Sequence, residues 1–268
     1  MELKFIIPMV ICAIVMIWAN IQYKSKGKMW GRVVAILFAV LCFGLAISSA
    51  VFTLFLKDRI AVDNMISKND RYLQISHNIF GKHVAEKQKG KKALIIHIKP
   101  ESGERAQNSH KYSIEEFKAQ ISGNIEIIDT YEWAPFAEMG NVPENMRLSK
   151  GAEFTTKIFN DIISNFSDYD LIISFIGLPR DFKEMKYWSD DYDGKIPQFV
   201  LINSSLRDYK PGIAAGHFVS TLATKPGSDY DAEIPKDSQE AFDSRYIIIT
   251  PKNVETLHKE YPNLFAKE

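Results

Sequence analysis

Two long apolar runs open the chain, and everything after them alternates between apolar and polar stretches. The first run is Phe5 to Ala19, reaching Gln22 if Asn20 is tolerated, with Lys4 and Lys24 at its flanks. The second, Val33 to Leu56, carries no charged residue across 24 positions. At about 1.5 Å per residue, a helix of that length crosses a hydrocarbon core of roughly 30 Å with some tilt. The pattern predicts a transmembrane hairpin over residues 1–56, with helices near 5–22 and 33–56. No small-residue cleavage site follows Trp18, so the first run reads as a retained anchor and not a removed leader. Within the second run, Ala35, Ala39, Cys42, Ala46, Ser49 and Thr53 share one helix face. Small residues let helix backbones approach closely in lipid. The first helix is their expected partner, ahead of a homodimer seam through the same residues.

Lys57 to Lys92 contains no proline, and Ile66, Leu73 and Phe80 recur every seven positions. This predicts an amphipathic connector over residues 57–90, packed on its own domain. Ser76 and Asn69 interrupt the seam too early for a coiled coil.

From residue 91 onward short apolar runs alternate with helical patterns. Strands are expected at Ala93–Ile98, Ile125–Thr130, Asp170–Ile176, Gln198–Ile202, within Ile213–Thr224, and at Tyr246–Thr250. A capping box at Ser113 and Glu116 opens a helix with Phe117 and Ile121 on its inner face. A second helix, from Ser149, presents Phe154, Ile158, Phe159, Ile162, Ile163 and Phe166 as one broad stripe. A last helix follows Pro251. Apolar strands separated by helices imply an α/β domain over residues 91–268. The expected architecture is a three-layer, Rossmann-like or flavodoxin-like sandwich with a mainly parallel sheet, and an antiparallel edge is compatible with the irregular later links.

Lys plus Arg equals Asp plus Glu at 33 each, so no net field recruits nucleic acid. The turn between the apolar runs holds Lys24, Lys26, Lys28 and Arg32 and no acid. That places the turn in the cytoplasm and the C-terminal domain outside it. The two cysteines, Cys12 and Cys42, fall in the apolar runs, which leaves the domain without thiol chemistry.

Ligands of open α/β sheets bind beyond the carboxyl ends of the strands. That rule nominates Lys99, Glu101, Ser102, Arg105 and His110 after the first strand, and Asp129, Glu132 and Trp133 after the second. Arg180 and Asp181 follow the third, and Asn203, Ser204 and Arg207 the fourth. No G-x-G-x-x-G, G-x-x-x-x-G-K-[ST] or G-x-S-x-G is present, and the six histidines show neither H-x-H nor H-E-x-x-H spacing. No cofactor, metal or catalytic residue is therefore expected, and His97 reads as a hydrogen-bonded core histidine. The aromatic and acidic run Tyr187 to Asp193 reads as a surface loop anchored by its rings.

The reading that follows is a membrane-anchored module of the cell envelope that binds a small polar ligand or an envelope protein without catalysis. The alternatives are a structural subunit of a membrane complex, and a hydrolase using Asp129, Glu132 or Ser204 with His110. A closed cleft lined by Lys99, Arg180 and Arg207 would select an anionic ligand. Exposed Trp133 or Trp188 on a flat face would select a protein partner.

Overall fold

The computed structural model describes residues 3–52, 57–100, 102–135, 153–202, 206 and 208–265. The chain divides into two compact units, Met1–Lys68 and Asn69–Glu268.

The first unit contains α1 (Leu3–Lys26) and α2 (Met29–Val51). Stretches of 21 and 22 residues within them, Ile6–Lys26 and Met29–Ala50, are long and apolar enough to cross a membrane. The two helices pack against each other through small residues. Ala19 is fully buried, Cys12 and Ser49 nearly so, and Cys42 Sγ lies 3.5 Å from the Met9 carbonyl oxygen. Ala35 and Ala46 are half-buried on the same face, whereas Ala39 is exposed. Thr53 lies outside the described residues. The small-residue face thus serves the hairpin itself. Leu37, Val40 and Phe43 point away from it and are each more than 60% exposed.

The second unit begins within α3 (Lys57–Lys87). Its remaining elements are β1 (Lys92–Ile98), α4 (Glu104–His110), a π-helical turn (Lys111–Glu115), α5 (Glu116–Ile121), β2 (Glu126–Trp133), α6 (Thr156–Ser164), β3 (Leu171–Ser174), β4 (Gln198–Ile202), α7 (Lys210–Ala214), β5 (Phe218–Thr224), α8 (Ser238–Arg245), β6 (Tyr246–Ile249) and α9 (Val254–Glu260). Short 3-10 turns occupy Phe182–Glu184, Lys186–Trp188 and Pro262–Leu264.

The strands form one sheet in the order β2-β1-β3-β4-β5-β6, parallel from β2 to β5, with β6 antiparallel at the edge. Successive residues of each central strand serve opposite layers. Ala93, Ile95, Leu171, Ile173, Val200 and Ile202 pack beneath Phe80 and Val84 of α3, Phe117 and Ile121 of α5, and Phe242 of α8. Leu94, Ile96, Ile172, Phe199 and Leu201 pack beneath Phe159, Ile162 and Ile163 of α6. This is a three-layer, Rossmann-like sandwich with a mostly parallel sheet, as the apolar runs implied.

Two expected elements begin elsewhere. The helix placed at Ser113 starts at Glu104, and Ser113 sits inside it, its hydroxyl donating to the Ser109 carbonyl at 2.6 Å. A serine satisfied by the preceding turn cannot cap. The polar stretch after β1 is therefore mostly helix. The stripe helix starts at Thr156, capped by Thr155, whose side chain accepts from the Ile158 amide at 3.4 Å; Ser149 lies outside the described residues. The run from Tyr187 is anchored as expected: Tyr187 is buried, with its hydroxyl 2.6 Å from that of Tyr169.

α3 ends at Lys87, and the turn that follows it closes at Gly90, whose φ of +80° suits a residue without a side chain. Earlier in the same helix, a Cβ on Gly81 would come within 2.8 Å of Gln120 Cβ, so glycine permits the close crossing of α3 and α5. The inner face of α3 also buries polar groups. Ser76 and His77 are both fully buried; the Ser76 hydroxyl donates to the Leu73 carbonyl at 2.9 Å, and His77 Nδ1 bonds that same oxygen at 2.7 Å. The His77 ring stacks on Phe175 with centroids 5.8 Å apart. At the far end of the sheet, Arg245 of α8 is 3% exposed, with its guanidinium 3.6 Å from the Tyr72 ring centroid and 4.5 Å from that of Tyr230.

Burial lowers the His77 pKa to about 4. The unfolded chain, with a value near ~6.5, takes up the proton first, so this group's stabilisation is whole above that pH and fades as pH falls toward 4. A shift of this size corresponds to about 3 kcal/mol. Urea denaturation at pH 7 and pH 4.5 should therefore show a smaller acid loss of stability in His77→Phe than in the parent protein. Equal losses in the two would show that His77 does not carry the effect.

Candidate functional site

The crossovers on opposite layers determine where a site can form. The link from β1 to β2 runs through α4 and α5 on the layer shared with α3, whereas the link from β2 to β3 runs through α6 on the other layer. Strand order reverses between these connections. The links leaving β1 and β3 therefore turn to opposite layers, and this is the position at which open α/β sheets take ligands beyond the carboxyl ends of their strands.

Several nominated residues reach this edge, and the described cations among them are exposed. Lys99, Ser102 and Arg105 are exposed. The Lys99 amide donates to the Trp133 carbonyl at 2.7 Å, extending the β1–β2 ladder. Arg180 projects outward, 88% exposed, with its nearest contact to Glu153 at 3.5 Å. Glu101, Asn203, Ser204 and Arg207 lie outside the described residues. Trp133 packs on Phe154 with centroids 4.8 Å apart, and Trp188 lies against His217 at 4.9 Å. Both tryptophans are half-buried, so neither forms a flat aromatic face.

Two nominated positions belong to the framework. Asp181 Oδ1 accepts the Thr156 amide at 2.8 Å, and the Thr156 hydroxyl donates to the Asp181 carbonyl at 2.8 Å. These bonds tie the loop after β3 to the start of α6 and hold the Asp181 carboxyl below its ordinary value. Asp129, expected after β2, lies within it, because β2 continues to Trp133. Its Oδ1 accepts the next amide, that of Thr130, at 2.6 Å.

The longer β2 has a second effect. In parallel register His97 faces Glu132, and Ile98 faces Trp133. His97 follows Ile95 on the layer of α3 and α5 and is 1% exposed. Its Nε2 lies 3.8 Å from Glu132 Oε1. Its Nδ1 lies 2.9 Å from the Ile98 carbonyl oxygen. A carbonyl can only accept, so Nδ1 holds the proton and Nε2 presents its lone pair toward Glu132. Burial, first, and then His110 and Lys118 press the His97 pKa down, which favours a neutral ring. His110, the last residue of α4, stands edge-on to His97 with centroids 5.1 Å apart. Its Nε2 is buried with no hydrogen-bond partner. One donor atom from each of His97, His110 and Glu132 lies within 4.8 Å of the others.

His110 and Glu132 were legible as strand-end residues. His97 was read as core, and it is buried and hydrogen-bonded as expected. What chain spacing could not show is that three separate elements bring these residues together. The usable signal was a histidine near the carboxyl end of a strand with no other polar residue in its apolar run.

Serine–histidine pairs occur elsewhere. Ser220 Oγ is 3.2 Å from His83 Nε2, and Ser76 Oγ is 3.2 Å from His77 Nδ1. Ser220 is 1% exposed and Ser76 fully buried, so neither hydroxyl meets a substrate from solvent.

No family model matches the chain. Over 60 residues it is 33% identical to the protein GrpE of Methylococcus capsulatus, covering 22% of this chain and 31% of that one. Among solved structures it is similar to AraP, an arabinose binding protein from Geobacillus stearothermophilus, with a TM-score of 0.41 and 12% identity over 68% of this chain and 62% of that one. A chain of the XylFII-LytSN complex matches with a TM-score of 0.41 and 13% identity, covering 67% and 60%. The fructose binding periplasmic domain of the hybrid two component system BT1754 matches with a TM-score of 0.42 and 12% identity, covering 70% and 61%. The chain spans about three fifths of the length of each of these structures.

Asp181→Ala should lower the urea midpoint, because the Thr156 amide at the start of α6 loses its acceptor. Asp181→Asn, which keeps one oxygen, should recover most of the loss. An unchanged midpoint in the alanine variant would return Asp181 to the ligand-binding candidates.

Proposed function

We propose that this chain is a two-pass, membrane-anchored α/β module that binds a small polar ligand or an envelope protein at the carboxyl ends of its strands. The observation that carries the reading is the reversal of strand order between β1 and β3, with the polar cluster of His97, His110 and Glu132 at the same edge of the sheet. The described serine–histidine pairs are sealed inside the helical layer, which favours binding over nucleophilic chemistry.

Anchoring is supported by the first unit. Its outward residues Val33, Leu37, Val40 and Phe43 are apolar, and lipid is the solvent that accommodates such a face without cost. The Trp18 and Trp30 rings meet at a tilt of 50° with centroids 5.6 Å apart, and Lys28 lies 5.9 Å from the Trp30 ring. Tryptophan beside lysine suits the headgroup level. The basic turn belongs on the cytoplasmic side, and the α/β unit faces the envelope.

Two measurements test this. A reporter active only outside the cytoplasm, fused after Glu268, should be active, and a cytoplasm-only reporter at the same place should be silent; the reverse pattern would invert the hairpin. Full-length protein in detergent should show a saturable rise in thermal midpoint with a small polar solute, with arabinose and fructose as first probes. If a broad panel of sugars, amino acids and carboxylates produces no shift, and no envelope protein crosslinks to the strand-end edge, the binding reading fails.

A further inference from the structure

Two imidazoles and a carboxylate converge at the carboxyl ends of β1 and β2, and their surroundings resemble those of metal ligands more than those of a core hydrogen-bond network. His97 has one ring nitrogen fixed by a backbone carbonyl, 2.9 Å from Ile98 O, which orients the ring and leaves Nε2 free to coordinate. His110 Nε2 is buried and has no partner, and a buried polar nitrogen normally finds one. Glu132 is 48% exposed and 3.8 Å from His97, so its carboxylate closes the trio from the solvent side. Lys118, whose charge acts on His97, is paired with Glu115 at 3.7 Å.

We propose that His97, His110 and Glu132 form a binding site for a divalent transition-metal ion of the zinc class. Two imidazoles disfavour magnesium and calcium, which take oxygen ligands, and suit zinc, cobalt, nickel or copper. Donors bound to one zinc at about 2.0–2.1 Å stand roughly 3.3 Å apart, so a trio within 4.8 Å must draw in by at most about 1.5 Å. Rotation of the exposed Glu132 side chain supplies part of that movement. Three protein ligands leave a coordination position open toward solvent, where water or an oxygen of a bound molecule completes the shell. The proposal goes beyond the tethered-module reading and does not rest on it, since a metal can bind here whatever else the strand ends hold.

The test uses full-length, detergent-solubilised protein, stripped with chelator and freed of any histidine tag, and Co2+ as an optical probe. Titration should give visible d–d absorption that saturates at one Co2+ per chain and is abolished by Zn2+. Glu132→Gln and His110→Ala should each weaken Co2+ binding by about tenfold or more. His258→Ala, a histidine on α9, should bind as the parent does. Glu132 and His110 are not fully buried, so their variants keep the fold, which far-ultraviolet circular dichroism checks; His97, inside the sheet, is left intact. No saturable absorption would overturn the site. Parent-like affinity in both ligand variants, or equal weakening in His258→Ala, would overturn it as well. Sugar binding can succeed or fail without altering any of these outcomes.

Discussion

A parallel strand buried on both faces can be stable only if apolar cover lies above and below it. β1 and β3 are such strands: Ala93, Leu94, Ile95 and Ile96, and Leu171, Ile172 and Ile173, are all fully buried. Their backbone groups are satisfied by neighbouring strands, and their side chains by two separate hydrophobic layers. Each parallel connection must leave the sheet and return along one of those layers. Placing α5 on one and α6 on the other is what makes the strand order reverse, and the reversal marks the strand-end position where such sheets take ligands. The site location is thus a consequence of double burial.

Covering the sheet with α3 carries its own cost. That helix brings Ser76 and His77 into the interior, where unpaired polar groups are expensive. Both side chains use the Leu73 carbonyl, one turn back along the same helix. Arg245 solves a similar problem by stacking between two tyrosine rings and bonding Asn69 Oδ1 at 3.1 Å. His110 differs in its neighbours. Its Nε2 is buried without a partner, and it stands beside another histidine and a carboxylate. Within α3 the Ser76 hydroxyl and His77 Nδ1 are satisfied, while His77 Nε2, like His110 Nε2, is buried without a partner; what sets His110 apart is the second imidazole and the carboxylate converging beside it. That convergence of donor atoms, and not an unpaired nitrogen by itself, marks a cluster arranged for a ligand.

Strand positions were legible because an apolar run of four to six residues leaves little other reading, and Gln198–Ile202 was read to the residue. Helix starts were less legible. Ser113 and Glu116 have capping-box spacing, yet α4 already existed upstream, and the serine hydroxyl turned back to Ser109. Asp181 looked like a ligand-facing carboxylate because it follows a strand. Its partner, the Thr156 amide, lies 25 residues earlier in the chain, beyond the reach of any local pattern.

What the sequence determined by itself is whatever depends on the side chain's own periodicity. Two apolar runs of membrane-crossing length, strands buried on both faces, and an amphipathic stripe over residues 154–166 are all local statements, and local hydrophobic free energy enforces them. Pairing partners lie outside that kind of information. The register that sets His97 opposite Glu132 comes from the pairing of β1 with β2, and His110 meets them from the end of α4. Those placements arise when distant segments compete for the same buried volume, which is why the tertiary structure alone decided which polar residues became neighbours.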